Sequence, residues 1–126
     1  MEYGCIGEKL RHSFSKEIHA GIADYEYELK ELKENEVESF LTAREFKAIN
    51  VTIPYKEKVI PFLDFVSNEA KEIGAVNTIV NKNGKLYGFN TDFFGMKSLI
   101  EKVGIVLNGK TVAILGSGGT AKTANA

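Results

Sequence analysis

The chain has one cysteine, Cys5, no charge of one dominant sign and no apolar run near membrane-spanning length. A lone cysteine forms neither an internal disulfide nor a cysteine-rich zinc site, which fits a reducing compartment, and no metal is expected. Lys and Arg number 16 against 17 for Asp and Glu, so the net charge is -1. That balance speaks against nucleic acid as a partner, because such binding needs a basic surface. The start, Met1-Glu2-Tyr3, carries no basic and apolar leader pattern, so neither export nor a membrane partner is expected. Repeats and low-complexity tracts are also missing. What remains is 126 residues of ordinary globular composition, long enough to bury a core. The expectation is a soluble, cytoplasmic chain.

Strand-like and helix-like segments alternate, the pattern of an α/β fold. Glu2–Gly7 reads as a short apolar strand, and Ser15 as a cap for a helix over about Lys16–Ala23. Period-two alternation from Asp24 to Leu29 predicts a strand with one wet face. Asn35 with Glu38 three residues on predicts a helix start. Ala48–Ile53 is a second apolar strand, closed by Pro54. Short helices are expected around Lys56–Leu63 and Asn68–Ile73, the latter capped by Ser67 and Gly74. Asn83-Gly84 between Ala75–Asn81 and Lys85–Phe89 is a strong hairpin signal. Phe93, Met96, Ile100 and Val103 form one face of a helix after the caps Thr91 and Asp92. Lys110–Leu115 is expected as a strand running into Gly116-Ser117-Gly118-Gly119. The predicted fold is an open, mostly parallel twisted sheet flanked by helices, with an antiparallel edge hairpin, then the first strand of a truncated Rossmann domain. Residues 1–104 are expected as one domain and 105–126 as the beginning of another. The seven carboxylates between Asp24 and Glu38 read as a solvated face.

Open α/β sheets place ligands at strand ends, and polar clusters gather there. Ser13 and Ser15 can both reach one polyol or carboxylate, although such serines also serve as turn formers. His12 and His19 are acid/base candidates against a structural reading. Asn50-Val51-Thr52-Ile53-Pro54-Tyr55-Lys56 sets polar groups and an ammonium at the end of a buried strand, where a lysine can exchange protons with a reacting oxygen. The hairpin brings Asn77 and Asn90 to the same end of paired strands. Asp92 is then either a helix cap, a partner for Lys56, or both. Gly116-Ser117-Gly118-Gly119-Thr120-Ala121, between a strand and a helix start, has the small residues that let backbone amides approach a pyrophosphate.

Six motifs in one order resemble the shikimate dehydrogenase family. They are Tyr3-Gly4-Cys5-Ile6-Gly7, His12-Ser13-Phe14-Ser15 with His19, Asn50-Val51-Thr52-Ile53-Pro54-Tyr55-Lys56, Gly74-Ala75-Val76-Asn77-Thr78, Asn90-Thr91-Asp92 with Gly95, and the glycine loop. The resemblance implies a substrate domain followed by a Rossmann domain for NADP. It also implies reversible reduction of 3-dehydroshikimate to shikimate, on the route to chorismate and aromatic amino acids. Carried over, Lys56 and Asp92 are the catalytic pair. Ser13 and Ser15 hold the substrate carboxylate, while Thr52, Asn77 and Asp92 hold its hydroxyls. Gly116, Ser117, Gly118, Gly119, Thr120 and Ala121 bind the cofactor. Two alternatives stay open: a quinate/shikimate dehydrogenase using NAD, and a non-catalytic shikimate-binding fragment. Lys9 and Lys16 stand where the family commonly has prolines, a departure expected to loosen the serine loop. The chain is read as an N-terminal fragment, inactive by itself. An apolar patch is expected where a second domain packs, with self-association into a homodimer as its consequence.

Overall fold

A computed structural model describes residues 1–126. The elements run β1 (Tyr3–Gly7), α1 (Ser15–Ile22), β2 (Tyr27–Glu31), α2 (Glu34–Ala43), β3 (Ala48–Val51), a 3-10 turn (Ile60–Phe62), β4 (Phe65–Val66), α3 (Asn68–Ile73), β5 (Thr78–Lys82), β6 (Lys85–Phe89), α4 (Asp92–Lys102) and α5 (Gly119–Asn125). One six-stranded sheet has the order β2-β1-β3-β5-β6-β4. Its β1–β2, β1–β3 and β4–β6 pairs are parallel, while β3–β5 and β5–β6 are antiparallel. This is the α/β sheet with flanking helices that the alternation predicted.

Alternation along the strands divides the sheet's two faces. Ile6, Ile49, Val51 and Ile79 point to one side and join Leu41, Val59, Val76 and Leu86 in the main core. Full burial of each such side chain contributes about 1.5–3 kcal/mol, which is the force fixing strand register. On the opposite face Cys5 and Tyr27 make a smaller cluster with Leu10. That thinner side has room for polar groups, and Asn50 enters it.

Local signals account for several boundaries. Ser67 Oγ accepts from Ala70 N at 3.3 Å, and Gly74 ends α3 at φ 72°, a left-handed position that favours glycine. Asn83 and Gly84 take φ 53° and 77°, as a type I′ hairpin requires. The start of α2 differs from expectation: the helix begins at Glu34, and Glu36 rather than Glu38 folds back, accepting from Lys33 N at 2.6 Å. Ser15 is the first helical residue of α1, not its cap, and its N–H donates to Ser13 Oγ at 3.3 Å.

Two placements correct the sequence reading. The β5–β6 hairpin lies inside the sheet, because the two-residue strand β4 pairs outside β6. Asp64 secures it: its N–H donates to Leu86 O, and its carboxylate accepts from Leu86 N at 2.8 Å. Residues 110–115, expected as a strand, form none. A strand exists by its ladder, and this backbone pairs with no other segment, leaving Val112 and Leu115 60% and 97% exposed. Phe94, Leu99, Val103 and Val106 are exposed as well. No helix is long and apolar enough to cross a membrane.

Candidate active site

The site forms where β1, β3 and β6 end and where α1, β5 and α4 begin. Backbone bonds draw these ends together: Thr52 N donates to Ile6 O at 3.0 Å, Val51 N to Asn77 O at 2.8 Å and Asn77 N to Phe89 O at 3.0 Å. Val76 N donates to Lys56 O at 2.7 Å, fixing the lysine backbone beside β5. Lys56 Nζ then meets Asp92 Oδ2 at 2.6 Å, with the lysine side chain 13% exposed and the aspartate 34%. Asp92 is free for this because Asn90 caps the helix, its Oδ1 accepting from Phe93 N at 3.2 Å. Of the two roles open to Asp92, the structure shows the ion pair. An ammonium and a carboxylate held in contact and partly shielded from water can pass a proton to a ligand oxygen without first reorganising solvent.

A cavity of about 300 Å³ contains this pair together with Ser15, His19, Asn50, Thr52 and Asn77. Its volume suits a small polyol acid. Asn77 is buried and oriented: its Oδ1 accepts from Thr91 N at 2.9 Å and its Nδ2 donates to Thr91 Oγ1 at 2.9 Å. Ser13 does not line this cavity. It lies in an adjoining hollow of about 370 Å³ with Arg11, His12, Ser15 and Thr52, and its Oγ donates to Ser15 Oγ at 3.1 Å. Ser15 and Thr52 belong to both spaces, so the serine pair spans their junction.

A third cleft, of about 340 Å³, opens on the other side of Lys56. Gly116, Gly118, Gly119, Thr120 and Ala121 line it with Ile53 and Pro54, whereas Ser117 does not. A side chain at Gly119 would bring its Cβ within 3.2 Å of Lys56 Cβ and Cδ, so the glycine lets the loop lie against the lysine. Glu57, the acid in this cleft, is neutralised by Lys122 at 2.7 Å. Thr123 anchors α5 by accepting from the buried Asn90 Nδ2 at 3.2 Å. An open glycine backbone with its acid neutralised fits the phosphates of a dinucleotide.

Some groups took other places than their residue type suggested. His12 lines the serine hollow. His19 bonds the Tyr25 hydroxyl and stacks on Tyr27 with centroids 3.8 Å apart, which is a structural role. Sequence reasoning placed Thr91 only as a cap and a motif member beside Asp92, and it missed Tyr27. Tyr27 reads locally as a strand aromatic, and its partner Asn50 lies 23 residues away. Cys5 sits under the cavity, where burial pushes its thiol from 9.0 up to about 11 against the opposing pull of Lys56.

Comparison with known proteins gives the arrangement its relatives. The family described as the shikimate dehydrogenase substrate binding domain matches residues 5–79, more than half of the chain. The shikimate dehydrogenase (NADP(+)) of Clostridium perfringens strain ATCC 13124 is 46% identical over 129 aligned positions, covering 96% of this chain and 48% of that protein. The crystal structure of shikimate dehydrogenase 1 from Peptoclostridium difficile superposes with TM-score 0.92 at 40% identity, covering 99% of this chain and 50% of that one. The Thermus thermophilus enzyme in complex with NADP(H) and shikimate gives TM-score 0.86 at 34% identity, covering 98% and 49%. The chain thus spans about half the length of the curated relatives it matches. With the family's motifs, its sheet and this extent of match, the chain belongs to the shikimate dehydrogenase substrate binding domain family.

Proposed function

We propose that this chain carries the substrate site and the proton-transfer pair of an NADP-dependent shikimate dehydrogenase, which interconverts 3-dehydroshikimate and shikimate in the cytoplasmic route to aromatic amino acids. The observation that carries the reading is the Lys56–Asp92 contact of 2.6 Å, at the junction of a polyol-sized cavity and a glycine-lined cleft.

In the reducing direction, a ketone carbon that gains a hydride leaves an oxygen that must gain a proton. Lys56 donates that proton from Nζ, and in the reverse direction receives it from the substrate hydroxyl. Asp92 keeps the ammonium in place and stabilises its charge. Ser13 and Ser15 donate to the substrate carboxylate. Thr52 and Asn77 hold the ring hydroxyls, with Asp92 accepting from one of them, and a site built this way rejects analogues that lack those groups. The nicotinamide dinucleotide, when bound, supplies or removes the hydride. Gly116, Gly118, Gly119, Thr120 and Ala121 would hold its phosphates, with Ser117 as part of the same loop. In this reading residues 1–104 are the substrate domain and 105–126 open a dinucleotide-binding domain. The apolar surface around α4 would serve a further body of protein, a second domain or a second copy. The test is a shikimate titration of the 126-residue chain, described at the end of the Discussion.

A further inference from the structure

We infer that Tyr27 is a positioning residue for this site: its buried hydroxyl anchors a ladder of amides and hydroxyls on β3 and β5, and so fixes how that ladder meets Asn77. The inference rests on the functional reading above only where it concerns substrate affinity.

Tyr27 is 5% exposed, and its ring is held flat against His19 at an interplanar angle of 13°. Its hydroxyl donates to Asn50 Oδ1 at 2.6 Å. Burial holds the phenol well above its ordinary pKa, so it remains a donor throughout the working range. A hydroxyl can serve either end of an amide, so it is the Asn77 carbonyl, an acceptor only, that gives the Asn50 amide its one orientation. Its Nδ2 donates to Thr78 Oγ1 at 3.2 Å and reaches Asn77 O at 3.4 Å. Having accepted from Asn50, the Thr78 hydroxyl turns its own proton to Asn77 Oδ1 at 3.0 Å. Thr91 N holds the same oxygen from the other side at 2.9 Å. Asn77 Oδ1 is thereby saturated, and its Nδ2 is left to face Thr91 and the cavity.

An amide can rotate end for end at little cost unless its neighbours distinguish oxygen from nitrogen. For Asn50 the Asn77 carbonyl makes that distinction, and the Tyr27 hydroxyl holds Oδ1 in the orientation so chosen. Without the phenol hydroxyl, Asn50 Oδ1 loses its donor and the side chain its anchor, which loosens its bond to Thr78 and with it the Thr78 bond to Asn77. The phenol therefore acts on the cavity through Asn50, although it belongs to β2 and does not line the space.

The experiment compares the wild-type chain with Tyr27→Phe and with Tyr87→Phe, a control on β6 whose ring stacks on Phe65. The side-chain amide signals of Asn50 and Asn77 are recorded by nitrogen–proton correlation without ligand, and shikimate is then titrated. In Tyr27→Phe both pairs of signals are expected to shift beyond their line widths, and shikimate affinity to fall about tenfold, the usual scale for an unpaired buried polar group. Tyr87→Phe is expected to change neither. A folded Tyr27→Phe protein with unmoved amides and unchanged affinity overturns the inference. A wild type that ignores shikimate, while the amides still move in Tyr27→Phe, overturns the substrate reading and leaves the positioning role standing. Should Tyr27→Phe fail to fold, the wild type decides: the Tyr27 hydroxyl proton is expected in slow exchange with a cross-peak to Asn50, and a phenol exchanging at the solvent rate overturns the claim.

Discussion

Lys56 Nζ and Asp92 Oδ2 meet at 2.6 Å although 36 residues separate them along the chain. Their meeting depends on two local arrangements. Asn90 caps α4 in place of Asp92, and the Lys56 carbonyl is tied to Val76, so the lysine is presented from fixed backbone. The pair thus stands at the edge of the cavity, where the proposed proton transfer needs it.

Lys56→Ala tests that assignment. The setting is a chimera joining this chain to the C-terminal half of the Clostridium perfringens relative. Removing a general acid costs on the order of 10²–10⁴ in turnover, while the KM for shikimate should stay within about tenfold. Steady-state kinetics checks both numbers. A loss confined to KM would make Lys56 a ligand and not an acid.

Gly7 and Gly21 should respond oppositely to alanine. A Cβ at Gly7 would lie 2.7 Å from Thr52 Cγ2 and 2.9 Å from Leu10 Cδ2, whereas one at Gly21 meets nothing within 4 Å. Gly7→Ala is expected to destabilise by about 1–3 kcal/mol through overpacking and to disturb Thr52. Gly21→Ala, in the open on α1, is expected to stabilise by about 0.5–1 kcal/mol from helix propensity. Urea unfolding at a common pH reads both.

Cys5 should be a slow thiol. Its pKa stands at about 11 against an ordinary 9.0, so the thiolate at pH 8 is about 100-fold scarcer than in an unperturbed cysteine. Labelling by a disulfide reagent at pH 8 is expected to lag a free thiol by at least that factor, and to reach the free rate in urea. Prompt reaction in the folded chain would contradict the burial described.

Asp64 links the β4 edge to acid stability. The Leu86 N–H first, and Arg44 second, hold its carboxyl below the ordinary 3.8. A lowered folded pKa means stabilisation that is present above the unfolded value and is lost as pH falls through the folded one. Wild type should therefore exceed Asp64→Asn in urea midpoint at pH 6, and the gap should close below about pH 4. A gap independent of pH would locate the effect in packing alone.

The parts of this molecule written in local chemistry were legible in the sequence. Asn83-Gly84 dictated its turn, Ser67 and Gly74 bracketed α3, and the strand-end clusters around Lys56, Asn77 and Asp92 converged. The misses share a physical cause. The two-residue strand β4 is too short to show periodicity and exists because Asp64 and Ser67 bond across to β6. Residues 110–115 have strand composition, but composition does not supply a neighbouring backbone. Tyr27 and Asn50 become partners only after β2 and β3 are laid on either side of β1.

The most direct test of the central claim is an amide-correlation NMR titration of the 126-residue chain with shikimate. The account predicts dispersed signals and saturable shifts clustered at Ser13, Ser15, Thr52, Lys56, Asn77 and Asp92, weakened about tenfold by Ser15→Ala as a lost charge-assisted bond implies. Dispersed signals that ignore shikimate at millimolar concentration, or shifts gathered away from these residues, would contradict it.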